Sequence, residues 1–170
     1  MLTQVQLESK LWTAANALRG PVDPGDFKAY VFPVLFFKWI SDNWDYMHAQ
    51  AVEDWGDDLT DEIEDSDYQP FTLPKDCRWA EVHGTAANLG LNLHQTLGRI
   101  EEANPELAGV FGDVNWANKD RLPESALAAL LDAFHDVKLD PAHVDGDMLG
   151  AAYEYLLKPQ HLRDVRRPGR

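Results

Sequence analysis

Six histidines, a single cysteine and a crowd of carboxylates are the side chains here that could do chemistry. A zinc site needs such groups at spacings that let them converge on one ion, as in His-Glu-x-x-His or Cys-x-x-Cys. Neither pattern occurs, and Cys77 has no histidine at a zinc spacing. Asp132 and His135 lie three residues apart on one helix face, which reads more simply as a solvated pair than as half a metal site. His94 adjoins the apolar stripe of its helix, a position that suits a partly buried structural histidine. Glu8-Ser9-Lys10 matches half of a nuclease metal motif, but it falls in a helical pattern where that chemistry wants a strand. Gly84, Gly109 and Gly112 are isolated and form no phosphate-cradling loop, and there is no Walker motif or nucleophile elbow. Asp54, Asp57, Asp58 and Asp61 lack the glycine and the spacing of a calcium loop. The sequence therefore offers no catalytic, cofactor-binding or metal residues.

Cations are the next candidates, because duplex DNA is gripped largely through Lys and Arg. Fifteen basic residues against 29 acidic ones give −14 at pH 7 and a pI near 4.6, which argues against a free-standing DNA-binding domain. The charge is uneven: residues 41–70 carry eleven acidic and no basic side chains, whereas residues 158–170 sum to +4. Any DNA contact falls to Lys10, Arg19, Lys28 and Lys38, or to the tail residues Arg163, Arg166, Arg167 and Arg170. The competing reading is that the first group solvates helix ends and the tail is a disordered terminus.

These residues need elements to hold them, and the apolar spacing supplies helices. Thr3 can cap a first helix bearing Leu7, Leu11, Ala14, Ala15 and Leu18, ended by Gly20-Pro21. Asp23-Pro24 reads as a cap with proline at the first helical position. The segment onward to about His48 is apolar all round, with Val31, Val34, Leu35, Phe36, Phe37, Trp39 and Ile40, as befits a central buried helix; a buried strand is the competing reading. Pro33 predicts a kink or a break between two helices. Glu53 to Asp67 reads as a surface loop or frayed helix end. Leu89, Leu93, Leu97 and Ile100 make a helix ending at Asn104-Pro105, and Leu127, Leu130, Leu131 and Phe134 make another after Pro123. A last helix would carry Met148, Leu149, Ala152, Tyr153, Leu156 and Leu157. The fold class is all-α, a compact bundle of five or six helices, with room for one short extended segment near residues 69–73. At 170 residues and 45% hydrophobic content this is one ordinary domain with a sizeable core. One cysteine, no signal peptide at the start and no apolar run of membrane length lead to a cytoplasmic expectation.

Four ordered blocks resemble the N-terminal helical domain of the modification subunit of type I restriction–modification enzymes. They are Leu11-Trp12-Thr13-Ala14-Ala15-Asn16-Ala17-Leu18-Arg19-Gly20, the run Asp26 to Asp42, the run Ile100 to Phe111, and the run Asp147 to Leu157. The resemblance spans about residues 5–157 and divides the chain into a helical domain, 1–157, and a basic, disordered tail, 158–170. It implies membership in a complex that methylates adenine at N6 from S-adenosylmethionine. In that family two modification subunits join a sequence-reading specificity subunit, a restriction subunit completes the enzyme, and the helical domain helps close the complex around DNA. The chemistry belongs to a later Rossmann-like domain with an Asn-Pro-Pro-aromatic motif, which an extruded base requires. Here Asn104-Pro105 is followed by Glu106-Leu107, and the residues after Lys158 lack the family's character. The resemblance thus implies a helical assembly and DNA-clamp module without catalysis or cofactor of its own. Two alternatives stay open: a fragment active with a separate catalytic chain, and an acidic decoy of restriction subunits.

Overall fold

The computed structural model describes residues 1–145 and 147, and the last expected helix and the basic tail lie outside them. Six α-helices are present among the described residues: α1 (Gln4–Ala17), α2 (Phe27–Trp55), α3 (Asp61–Asp67), α4 (Trp79–His83), α5 (Leu89–Ala103) and α6 (Glu124–His135). Short 3-10 turns cover Pro24–Asp26, Gly56–Asp58 and Pro105–Leu107. The all-α expectation holds.

The start of α1 follows directly from its sequence. The Thr3 hydroxyl accepts from the Gln6 backbone N–H at 3.1 Å, and the Gln6 side chain accepts from the Thr3 N–H at 2.9 Å, a reciprocal capping box. Leu7, Leu11, Ala14, Ala15 and Leu18 are all buried, as their spacing requires. Helix α1 packs most extensively on α6, which also touches α2, α4 and α5 and so forms the hub of the bundle.

Helix α2 corrects two expectations. It runs unbroken for 29 residues through Pro33, so the break into two helices, one of the two expected effects of that proline, does not occur. Proline removes the hydrogen bond to the carbonyl four residues back. That carbonyl belongs to Ala29, an exposed residue, so solvent is at hand for it. The helix also passes His48 and continues to Trp55. Between Phe27 and Ser41 one side of it is embedded in the core, whereas beyond Ser41 only Ala51 is buried. The distal half is an acidic arm.

Nor is the acidic stretch simply a loop. After Trp55 it forms a 3-10 turn and then α3, started by the Thr60 hydroxyl accepting from the Ile63 N–H at 3.2 Å. Asp61, Glu62 and Glu64 occupy the first turn, where the helix dipole favours negative charge. Glu64 is buried and accepts from His48 Nδ1 at 2.9 Å and from Gln69 Nε2 at 2.9 Å, which ties α3 to α2.

Residues 69–73 form no strand. Their anchor is the buried Asn104, whose side-chain oxygen accepts from the Thr72 N–H at 2.7 Å. Its amide nitrogen donates to the Thr72 carbonyl at 2.7 Å and to the Ile100 carbonyl at 2.8 Å. One side chain thus takes the place of a partner strand. Glu124, at the start of α6, similarly accepts from the Leu89 and Gly90 backbone N–H groups at 2.8 Å each, satisfying the first turn of α5.

Candidate functional site

The expected cations have very different surroundings. Lys38 is only 4% exposed, and its ammonium donates to Asp42 Oδ2 and to the Val137 carbonyl, both at 2.6 Å. The ammonium also lies 5.6 Å from the centroid of the Trp79 ring. The expectation that Lys38 faces DNA is therefore corrected: its charge is used inside the fold, joining α2 to the segment after α6. Asp42 completes the joint by accepting from the Leu139 N–H at 2.9 Å. Lys10 is partly exposed and pairs with Asp136 at 3.0 Å, so part of its charge is neutralised on the surface. That hydrogen bond holds the Asp136 carboxyl below the usual aspartate range. Arg19 is exposed just beyond α1, and Lys28 is exposed in the first turn of α2. Arg163, Arg166, Arg167 and Arg170 lie outside the described residues.

Histidines form structural contacts that spacing alone does not reveal. Asp132 does not pair with His135; its carboxylate is 2.7 Å from His83 Nε2. His135 instead accepts at Nδ1 from the Trp79 indole N–H at 3.0 Å, and its ring lies parallel to that of His83 with centroids 3.6 Å apart. This clasp holds α4 against α6. His94 is exposed rather than partly buried. No three His, Cys, Asp or Glu side chains converge as a metal site among the described residues.

Aromatic side chains along α2 form a continuous face. Phe36 stacks on Phe32 and Trp39 with centroids 6.0 and 5.3 Å away, and meets Phe111 edge-on at 5.9 Å. Trp39 in turn meets Phe71 at 5.8 Å. Phe37 and Ile40 are fully inside, whereas Phe36 and Trp39 are only partly buried. The helix therefore serves the core with one side and the connecting loops with another.

Three observations now stand together: an all-helical bundle among the described residues, a long apolar helix threading it, and an acidic distal arm. Against known proteins, residues 7–134 match the family model described as the HsdM N-terminal domain. The chain belongs to that family. A curated relative, the type I restriction enzyme MpnII methylase subunit of Mycoplasma pneumoniae, is 46% identical over 37 residues. That stretch is 22% of this chain and 7% of the relative.

Within the HsdM N-terminal domain, two surface features escape sequence reasoning. One is a cleft of about 370 Å³ lined by Lys38, Asp42, Asp45, Tyr46, His135, Asp136, Lys138 and Asp140. Burial there pushes the Asp45 carboxyl above its usual range, against the opposing pull of Arg78. The Arg78 guanidinium itself lies 3.9 Å from the Trp44 ring. The other is a smaller cleft beside Tyr30 and Arg121 at the start of α2. Neither residue stands out in sequence. No helix among the described residues is long and apolar enough to cross a membrane.

Proposed function

We propose that this domain is a non-catalytic helical assembly and DNA-clamp module of a type I restriction–modification DNA adenine-N6 methyltransferase. The match to the HsdM N-terminal domain over residues 7–134 carries the reading. Its partners are a specificity subunit, a catalytic methyltransferase chain and a restriction subunit, and duplex DNA is met only within that assembly. S-adenosylmethionine is the methyl donor of the whole enzyme, bound by the catalytic part, because this sequence has no glycine-rich strand–helix turn to receive it. Charge supports the same division of labour. A surface at −14 repels phosphate at long range, so other subunits must hold the duplex while this domain adds a few local contacts. Lys28 and Arg19 are exposed where such contacts are possible, and Lys38 is excluded by its burial.

The test is a pull-down of the tagged domain with specificity and catalytic chains, followed by a methylation assay on target duplex. Co-purification with both chains, and methyl transfer only when the catalytic chain is present, is the expected result. Methyl transfer by the domain alone, or failure to join the other chains, would contradict the proposal.

A further inference from the structure

The start of α2 and the loop before α6 enclose a cleft of about 340 Å³. Tyr30 lines it although the residue is only 7% exposed. Its ring is held edge-on to Trp116, centroids 5.6 Å apart, and Trp116 is itself buried. Yet the Tyr30 hydroxyl has no hydrogen-bond partner among the described residues. A buried hydroxyl normally finds a partner, since leaving it unpaired forfeits its hydration for nothing. Among the described residues, the cleft that Tyr30 lines is where an added partner could meet it.

Three of the other side chains lining the cleft, Asn115, Asn118 and Arg121, can donate. Asn115 and Asn118 each use the side-chain oxygen in a local turn, accepting from the Ala117 and Asp120 N–H groups at 3.1 Å. An amide whose oxygen is committed in this way keeps its NH₂ group for an outside acceptor. Arg121 lines the same cleft, and its guanidinium has no ion-pair partner among the described residues. Asp26 and Ala29 bring in the N-terminal end of α2, the positive end of a 29-residue helix dipole. Tyr, Asn and Arg side chains at a helix N-terminus are the usual contacts to the sugar–phosphate backbone. Two carboxylates, Asp26 and Asp113, also line the cleft and oppose an anion.

We propose that this cleft seats one backbone phosphate of duplex DNA, with Tyr30, Asn115, Asn118 and Arg121 as its donors. The inference rests on the clamp reading above and adds the residues that would make the contact. Asp26 and Asp113 hold the intrinsic affinity down, so the seat fills only when other subunits present the duplex. The carboxylates also supply the sharpest test, because they act in opposite directions on an anion and on a cationic side chain of a partner protein.

The experiment measures duplex affinity of the reconstituted complex across a salt series, with variants of this domain. Arg121→Ala should weaken binding several-fold and flatten the slope of log affinity against log salt by about 0.9, the value for one phosphate contact. Tyr30→Phe, which keeps the ring and its packing, should weaken binding about 3-fold with an unchanged slope, since it removes one hydrogen bond and no charge. Asp26→Asn and Asp113→Asn should strengthen binding. Unchanged affinity in Tyr30→Phe and Arg121→Ala overturns the seat. Weaker subunit assembly in the two Asp→Asn variants also overturns it, and would place a partner's cationic side chain there instead. A complex lacking the whole domain separates the two levels. If it binds DNA as tightly as the intact complex, the clamp reading fails; if it binds more weakly while the point variants do not, only the seat is wrong.

Discussion

Lys28 and Lys38 are the same residue type on the same helix, and the fold gives them opposite roles. Removing Lys38 leaves Asp42 and the Val137 carbonyl without the donor that joins them. Lys38→Ala should therefore destabilise the domain by about 3–5 kcal/mol, the cost of breaking a buried pair from one side. Lys28→Ala should stay within about 0.5 kcal/mol, as an exposed substitution does. Urea denaturation of both variants checks the contrast. Sequence grouped the two because both flank one apolar run; the partner that separates them is 99 positions away. The surface pair Lys10–Asp136 predicts a pH effect of definite sign. Asp136 titrates below an ordinary aspartate because Lys10 hydrogen-bonds its charged form. Its stabilisation is present above roughly pH 4 and is lost as pH falls through the lower folded value. The pair is well exposed, so the amount is under about 1 kcal/mol, and Lys10→Met should make the acid limb of a pH–stability curve correspondingly shallower.

Helix α5 contains two glycines that should respond to alanine with opposite signs. At Gly98 a Cβ would meet nothing within 4 Å, so Gly98→Ala should gain about 0.5–1 kcal/mol from helix propensity and reduced chain entropy. At Gly90 the same Cβ would fall 2.1 Å from the Trp116 carbonyl oxygen. Gly90→Ala should therefore lose about 1–3 kcal/mol by overpacking, despite the better propensity. Thermal melts of the two variants read the difference directly. On α2, Phe37→Ala should cost about 3–5 kcal/mol, and Phe36→Ala less, because Phe36 is only partly buried. How far the elements were legible follows from how local their causes are. Helix α1 was readable because its cap and its stripe lie within sixteen residues. The course of α2 through Pro33 was not, since proline's penalty depends on whether Ala29 reaches solvent, which only the packed structure decides. Helix α3 was hidden by composition: among so many carboxylates, the buried Glu64 looks like the rest until His48 and Gln69 close over it.

At the scale of the molecule, the order of the apolar helices pointed to the fold and the four sequence blocks to the family, whereas the surfaces were hardly legible. A contact site is assembled from separate parts of the chain, as Tyr30 and Arg121 are, and neither charge totals nor spacing reveals which cations remain exposed. With no cofactor turn in the sequence, calorimetry of this domain with S-adenosylmethionine should give no saturable heat at micromolar concentrations. The central claim is that the domain contributes to DNA closure without doing chemistry. The affinity of the reconstituted methyltransferase complex for its target duplex, with and without this domain, tests it most directly. The account predicts looser, less salt-sensitive binding when the domain is omitted; equal affinity and equal salt dependence would contradict it.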